Sequence, residues 1–153
     1  MSAPEPLIEI VGEAYDPDRF AHRVDRGAAG AVVTFTGLCR SEDGRLRALE
    51  LEHHPTMAHR QIRRIAATCI GAHDLLAMGV IHRHGLVAVG EPIVTVVAAA
   101  RHRQEAFDGA NRLMDFLKTD APFWKKEHPV DGSPGAWVAA AARDDRARGR
   151  WSG

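Results

Sequence analysis

Lysine is used very unevenly in this sequence. Of the 20 basic residues only Lys118, Lys125 and Lys126 are lysines, and all three fall within nine consecutive positions. Arginine serves as well on an ordinary surface, but it cannot lose its proton readily or act as a nucleophile. The concentration of lysine therefore indicates that a side-chain amine takes part in chemistry here. For Lys118 a structural explanation stays open, because a cation is also favourable at the C-terminal end of a helix.

A second basic group, Arg101-His102-Arg103, lies where a predicted strand gives way to a predicted helix. Backbone N–H groups in the first turn of a helix, together with arginine and histidine side chains, can bind a small anion such as a phosphate. Cations oppose the helix dipole at this end, and a bound anion would explain their presence. The alternative is that these side chains simply face solvent. Arg40 lies at the end of another predicted strand and is uninformative by itself.

The nine histidines raise the question of a metal site. His53 and His54 are adjacent and would point to opposite faces of a strand, so they cannot easily share an ion. His82 and His84 could share a face, but no carboxylate or cysteine nearby in sequence completes the site. We therefore predict neither a metal nor a cofactor. Cys39 is either a thiolate that carries sulfur or, more simply, a buried thiol at a strand end.

The composition excludes several classes of protein. The chain has 153 residues, of which 45% are hydrophobic, and its 20 acidic residues balance its 20 basic ones. It therefore has the content of one globular domain and no overall charge for binding nucleic acid or an anionic membrane. Two unpaired-looking cysteines, no bilayer-length apolar run and no signal-peptide pattern favour a reduced, cytoplasmic protein. We predict a single domain over residues 1–153, with a flexible charged tail at 143–153.

Several short segments rich in apolar and β-branched residues predict strands. They are Leu7–Val11, Ala31–Leu38, Leu46–His53, Met78–His84 and Pro92–Ala100, with Phe123–Glu127 as a strand or extended loop. The Asp-Gly pair within Ser41–Arg45 predicts a hairpin or a mobile loop. Leu46–His53 is then the expected partner strand of Ala31–Leu38, with Leu49 and Leu51 on one face.

Three segments have the start signals or the spacing of helices. Asp16-Pro17 begins the first, which we expect to end near Gly27–Gly30. The second covers residues 55–72 and the third about 102–118, and the alanines after Trp137-Val138 are compatible with another. The third has apolar side chains three and four positions apart: Ala106, Phe107, Ala110, Leu113, Met114 and Leu117. Hairpins beside crossover helices predict an α+β fold.

The residues around the lysines resemble a known family. Met114–Glu127, which reads MDFLKTDAPFWKKE, is similar to the signature of the molybdopterin synthase catalytic (large) subunit, approximately M-D-x-L-K-T-x-A-P-F-W-K-x-E. The similarity extends over nearly the whole chain, through Gly30–Arg40, Leu49–Met57, Val80–Gly85, Gly90–Pro92 and Arg101–Phe107. The FLKTxAPFWK block is too specific for coincidence to explain it.

This resemblance implies an α/β hammerhead-like fold with an additional small antiparallel sheet. It also implies a heterotetramer, in which two large subunits form a central homodimer and each binds a small ubiquitin-like sulfur-carrier subunit ending in Gly-Gly. A thiocarboxylate at the C-terminus of that small subunit would supply sulfur for two transfers. These transfers would convert cyclic pyranopterin monophosphate into molybdopterin, in molybdenum cofactor biosynthesis.

Carried over residue by residue, the resemblance assigns Lys118 and Lys125 as the catalytic lysines. The substrate-binding set that it implies is Leu38, Cys39, Arg40, His102, Arg103, Lys118, Lys125, Lys126 and Glu127. We expect Lys118 to act at the thiocarboxylate carbon and Lys125 to act as a general acid/base on the pterin. The lysines must then meet Arg40, His102 and Arg103 in one pocket, within one chain or with the help of the dimer mate.

Two positions depart from the family pattern. His54 stands where the family often has tyrosine, and we expect this change to alter packing only. The family also tends to have an arginine shortly after the Trp137-Val138 pair, which reaches the substrate of the neighbouring protomer. Here that position is Ala141, and Arg143 follows two residues later. Either Arg143 takes over this contact after a local shift, or the contact is missing.

Two other functions stay open from the sequence. A Schiff-base lyase acting on a phosphorylated carbonyl compound could use Lys118, and borohydride would then trap its substrate adduct. A non-catalytic module could keep the fold only to dock a ubiquitin-like protein. The presence of both Lys118 and Lys125 argues against the module, because a docking surface has no need of paired amines.

Overall fold

The computed structural model describes residues 3–120 and 123–138, which form two β-sheets and three helices. In chain order the elements are β1 (Leu7–Val11), α1 (Pro17–Arg23), β2 (Ala31–Leu38), β3 (Leu46–His53), α2 (Pro55–Ala72), β4 (Leu75–Arg83), β5 (Gly85–Ala88), β6 (Pro92–Ala100), α3 (Arg103–Thr119), β7 (Phe123–Pro129) and β8 (Ala136–Trp137). The predicted α+β class and the additional antiparallel sheet are confirmed.

The first sheet has the strand order β1-β4-β6-β2. β1 runs parallel to β4, and the other neighbouring strands are antiparallel. Residues 94–100 of β6 are all buried, as expected for a continuous apolar run that is covered on both faces of a sheet. β6 therefore lies inside the sheet, and β2 is left as one of its two edge strands.

The second sheet is antiparallel throughout, with the order β5-β3-β7-β8. The prediction that β3 is the hairpin partner of β2 is wrong, because β2 pairs with β6 in the first sheet whereas β3 pairs with β5 and β7. The Asp43-Gly44 turn does form, and the Ser41 hydroxyl accepts a hydrogen bond from the Leu46 N–H at 2.9 Å. The residues of the turn determine its local conformation, but they do not determine which strands pair. Burial of the apolar β6 decides which strand β2 pairs with.

Helices cover both faces of the first sheet. α2 and α3 share a core cluster with one face, which includes Val80 and Val96, and α1 packs on the other face through Phe20 and Val24. Gly109 allows α3 to lie close to β4, because a Cβ atom there would come within 2.7 Å of the Leu75 side chain. This close packing fixes which side of α3 faces solvent.

The helix predictions hold in part. α2 has the predicted bounds, and the His54 side chain caps it by accepting a hydrogen bond from the Met57 N–H at 3.3 Å. α1 ends earlier than predicted, at Arg23, because Val24 turns into the core with an extended backbone. The prediction that Phe107 belongs to the core stripe of α3 is wrong, since this residue is 58% exposed. Gly109 is buried on that helix instead.

Two short strands, β5 and β8, were not predicted, and β5 falls in the connection expected around Gly85 and Gly90. Cys39 and Cys69 are buried free thiols. None of the described helices has the length and apolar content to cross a membrane. The predictions for the alanine stretch after Val138, for Ala141 and Arg143, and for the tail at 143–153 lie outside the described residues.

Candidate active site

A groove of about 580 Å³ runs between α3 and the edge strand β2, and Lys118 forms part of its wall. Lys118 is exposed in the last turn of α3. Two aromatic rings that do not belong to the core line the same groove, Phe35 on β2 at 41% exposure and Phe107 on α3. The groove is therefore an open, mostly apolar channel that carries a primary amine near the C-terminal end of α3.

Lys125 lies on the face of β7 that is turned toward the protein interior. It is paired with Leu51 of β3, which is fully buried, and Phe123 lies two residues earlier on the same strand. Residues directly opposite each other in an antiparallel pair share a face, as do residues two apart on one strand. Lys125 is accordingly half-buried.

Lys126 lies on the opposite face of the same strand. Its ammonium is 5.8 Å from the centre of the Trp137 ring, and its charge acts on Glu50, whose pKa is lowered mainly by the hydrogen bond to His128. Glu127 is exposed, one position further along β7 and opposite Leu49. The structure thus separates Lys126 from Lys125, although the two residues are adjacent in sequence.

His82 is a buried side chain on which the charges of both proposed catalytic lysines act. It is 6% exposed, and its ring stacks on Phe123 with the centroids 3.9 Å apart and the planes at 11°. The pKa of His82 is lowered from 6.5 to about 4, mainly by burial and in part by the charges of Lys125 and Lys118. Both amines therefore act on one buried imidazole. From the sequence, His82 was considered only as a possible metal ligand, and its burial next to Phe123 was not predicted.

Two more histidines extend the ring cluster outward. The His53 ring lies 5.7 Å from Phe123 and 4.7 Å from His84. Burial lowers the pKa of His53, and the charges of His84 and His54 lower it further. Among the described residues no group of three or more His, Cys, Asp or Glu side chains is arranged to hold a metal ion. The rings of His82, Phe123, His53 and His84 therefore form one contiguous aromatic floor.

The end of β2 lies beside this floor. Cys39 is buried, and burial raises the pKa of its thiol while the charge of Lys125 opposes that rise. The Cys39 N–H donates to the Glu91 carbonyl at 2.9 Å, which ties the strand end to the turn before β6. A thiol with a raised pKa is a poor sulfur carrier, so the buried-thiol interpretation is the better one. Leu38 and Arg40, on either side, are exposed, and Arg40 pairs with Glu42 at 2.9 Å.

The predicted anion site lies at the other end of α3. His102 is the N-cap residue but makes no side-chain capping bond, and it forms a shallow groove with Arg101, Arg103 and Gly30. Gly30 is needed there, because a Cβ atom would come within 2.5 Å of the Arg101 carbonyl oxygen. All three basic side chains are exposed. Open backbone N–H groups and exposed basic side chains are the features that an anion needs.

The two ends of α3 are far apart. Fifteen residues separate Arg103 from Lys118, which corresponds to roughly 22 Å at 1.5 Å per residue. Within one chain Lys118 and Lys125 act on the same buried ring, and Lys125 also acts on Cys39 next to Arg40, whereas His102 and Arg103 lie at the other end of α3. A single pocket containing all five residues is therefore not formed by one chain.

Comparisons with known proteins agree with this architecture. A family model described as MoaE protein matches residues 10–120. The molybdopterin synthase catalytic subunit of Brucella melitensis is 54% identical over 146 residues, covering 94% of this chain and 90% of that protein. The molybdopterin biosynthesis MoaE protein from Burkholderia ambifaria has a TM-score of 0.77 at 34% identity, covering 95% of this chain and 97% of that one. Molybdopterin synthase from Staphylococcus aureus has a TM-score of 0.77 at 25% identity, covering 86% and 96%.

The two-sheet fold and the similarity over nearly the whole chain are those of an enzyme subunit in molybdenum cofactor biosynthesis. The chain belongs to the MoaE family, in which its relatives are named molybdopterin synthase catalytic subunit.

Proposed function

We propose that this chain catalyses the conversion of cyclic pyranopterin monophosphate to molybdopterin. Two sulfur atoms would come from the C-terminal thiocarboxylate of a small ubiquitin-like subunit. The observation that carries the proposal is the pair of amines, Lys118 and Lys125, whose charges both act on buried His82. Amines on one floor, next to an open groove, suit an acyl-type sulfur transfer in which charge develops on the thiocarboxylate.

The groove between α3 and β2 is the proposed binding site for the C-terminal tail of the small subunit. Its walls include the exposed rings of Phe35 and Phe107, and Lys118 lies along it. A chain that ends in Gly-Gly is narrow enough to lie between two rings without side-chain clashes. Lys118 would then meet the thiocarboxylate carbon and assist attack on it or collapse of the adduct. Lys125, which is half-buried beside the stacked rings, would move protons on the pterin.

The phosphate would be bound by a second copy of the chain. We propose a homodimer with a two-fold axis across the middle of α3 and β2, so that His102 and Arg103 of one subunit lie beside Lys118 of the other. The features that support it are the edge position of β2 and the exposed apolar side chain of Val32, which is not part of the groove wall. Arg40 would contribute from the same chain as the lysines. With one small subunit on each copy, the assembly is a heterotetramer.

Reconstitution tests this function directly. The chain is mixed with a thiocarboxylated small subunit and cyclic pyranopterin monophosphate, and molybdopterin is measured. Lys118→Ala should reduce product formation by about three orders of magnitude, as expected when a group acts mainly in the transition state. Binding of the small subunit should remain. Arg64→Ala is the control, because Arg64 is an exposed basic residue on α2, outside the proposed site, and it should keep nearly full activity.

Either of two results would refute the proposal. One is substantial turnover by Lys118→Ala. The other is that wild-type protein releases no sulfur from the thiocarboxylate although the small subunit is bound. Borohydride trapping of a substrate adduct on Lys118 without sulfur transfer would instead indicate the Schiff-base lyase.

A further inference from the structure

His82 is conspicuous because it is a buried polar side chain near the end of β4, after seven consecutive apolar residues. Seven of the other eight residues of β4 are also buried, and β4 lies between β1 and β6 in the first sheet. A buried ring nitrogen without a hydrogen bond is costly, so the two nitrogens of His82 need separate explanations. The first nitrogen, Nδ1, lies 2.8 Å from the Arg83 carbonyl oxygen.

That contact fixes the tautomer. A carbonyl oxygen can only accept a hydrogen bond, so Nδ1 carries the proton and donates it. The other nitrogen, Nε2, is then an unprotonated acceptor on the far side of the ring. Burial and the two lysine charges hold the pKa of His82 at about 4, and the ring is therefore neutral at physiological pH.

The surroundings of the ring indicate what this acceptor meets. One face of the His82 ring is covered by Phe123, and Lys125 is the next side chain on that face of β7, about 6.6 Å further along the strand. A lysine side chain is long enough to return its ammonium over that distance. The charged and titratable groups around His82 are Lys125 on β7, Lys118 on α3, His53 on β3 and Arg83 on its own strand. Of these, Lys125 has the largest effect on the ring after burial and the Arg83 hydrogen bond.

We propose that His82 is a positioning residue of this site, whose bare Nε2 accepts a hydrogen bond from the ammonium of Lys125. It does not transfer a proton itself, because its imidazolium is strongly disfavoured. It holds the amine at one place above the Phe123 ring and stabilises its protonated form until the pterin arrives. The inference rests on the proposed function only for its kinetic consequence, since the hydrogen bond exists without substrate.

The chain offers an unusually direct test, because it contains only three lysines. Protein labelled with ¹³C at the lysine ε-carbon gives three NMR signals, which Lys→Arg variants assign. Three substitutions separate the functions of the ring: His82→Asn keeps a donor for the Arg83 carbonyl but has no acceptor at the Nε2 position. His82→Gln places an amide oxygen near that position, and His82→Phe keeps only the stacking on Phe123.

We expect the titration midpoint of Lys125 to fall in His82→Asn and His82→Phe and to recover in His82→Gln. Lys126, on the other face of the sheet, is the internal control and should not move. In the reconstituted assay kcat should fall about tenfold in the Asn and Phe variants, the loss expected for one hydrogen bond to a charged group. KM should stay unchanged, and the limb of the pH–rate profile that reports Lys125 should shift with the NMR midpoint.

An unchanged Lys125 midpoint in all three variants would overturn the proposal and leave His82 as a packing residue. If His82→Asn does not fold, the comparison of His82→Gln with His82→Phe decides in the same way. The NMR readout needs neither substrate nor small subunit. A failure of sulfur transfer with a His82-dependent Lys125 signal would therefore refute the proposed function and not this inference.

Discussion

The two ends of α3 are built in opposite ways. At the C-terminal end, Lys118 stands near a floor of buried or half-buried rings, with His82 stacked on Phe123 and the end of β2 tied down beside it. At the N-terminal end, His102 and Arg103 are exposed, and no side chain caps the helix. One end is held by packing, whereas the other offers only charge and open backbone N–H groups.

This difference matches the two tasks of the proposed reaction. Proton transfer and attack on a carbon need amines held to within a fraction of an ångström, and only a packed floor provides that. Binding a phosphate needs positive charge and N–H donors, which tolerate a loose geometry. The exposed phosphate-binding residues can therefore come from a second subunit across an interface, whereas the packed residues around Lys118 must be positioned within one chain.

The largest expected difference between the two ends of α3 is in how strongly the stability of the protein depends on pH. The pKa of His82 is lower in the folded chain, about 4, than in the unfolded chain, 6.5, so the unfolded state binds more protons between these values. Stability should accordingly fall as the pH drops from 6.5 toward 4, by up to about 3 kcal/mol from this residue. Urea unfolding of wild type and His82→Phe at pH 7 and pH 4.5 measures it.

His82→Phe should lose much less stability between the two pH values, although His53 and His73, whose pKa values burial also lowers, keep a smaller dependence of the same sign. His102→Ala, at the exposed end, should follow the wild-type curve. If the free energy of unfolding falls equally in His82→Phe and wild type between the two pH values, solvent reaches the His82 ring more than its burial indicates.

A smaller effect compares two histidines in the same helical position. His54 caps α2 through its side chain, whereas His102 occupies the N-cap of α3 without a capping bond. His54→Ala should therefore cost about 1 kcal/mol of unfolding free energy, and His102→Ala close to nothing. Thermal or urea unfolding at pH 7.5 distinguishes them. A similar loss in both variants would show that His102 stabilises the helix and is not reserved for a ligand.

Sequence patterns predict the local elements well and their partners poorly. β2, β3, α2 and β6 have the predicted bounds, because each is set by its own apolar spacing and terminal residues. The hairpin between β2 and β3 was wrong because strand pairing depends on burial of β6, which is distant in sequence. The spacing of Phe107 fits the apolar stripe of α3 whether that side of the helix faces the core or a groove. Spacing alone therefore could not show that Phe107 lines the groove.

The same limit applies to the site. The scarcity of lysine singled out Lys118 and Lys125, but spacing alone could not show that Lys126 faces away from both. His82 was visible as a polar residue within an apolar strand, yet its stacking partner lies forty-one residues further along the chain. The distance between His102 and Lys118 follows from helix length alone and was open to prediction.

The most direct test of the account asks whether the two ends of α3 complete one another across a dimer. A Lys118→Ala chain and a His102→Ala/Arg103→Ala chain are co-expressed with different tags, the mixed pair is purified, and molybdopterin formation is assayed with the thiocarboxylated small subunit. Each variant alone should be inactive, whereas the mixed pair should recover about half of the wild-type rate, because a two-fold dimer then contains one intact site of two. Activity no higher than that of the separate variants would contradict the account.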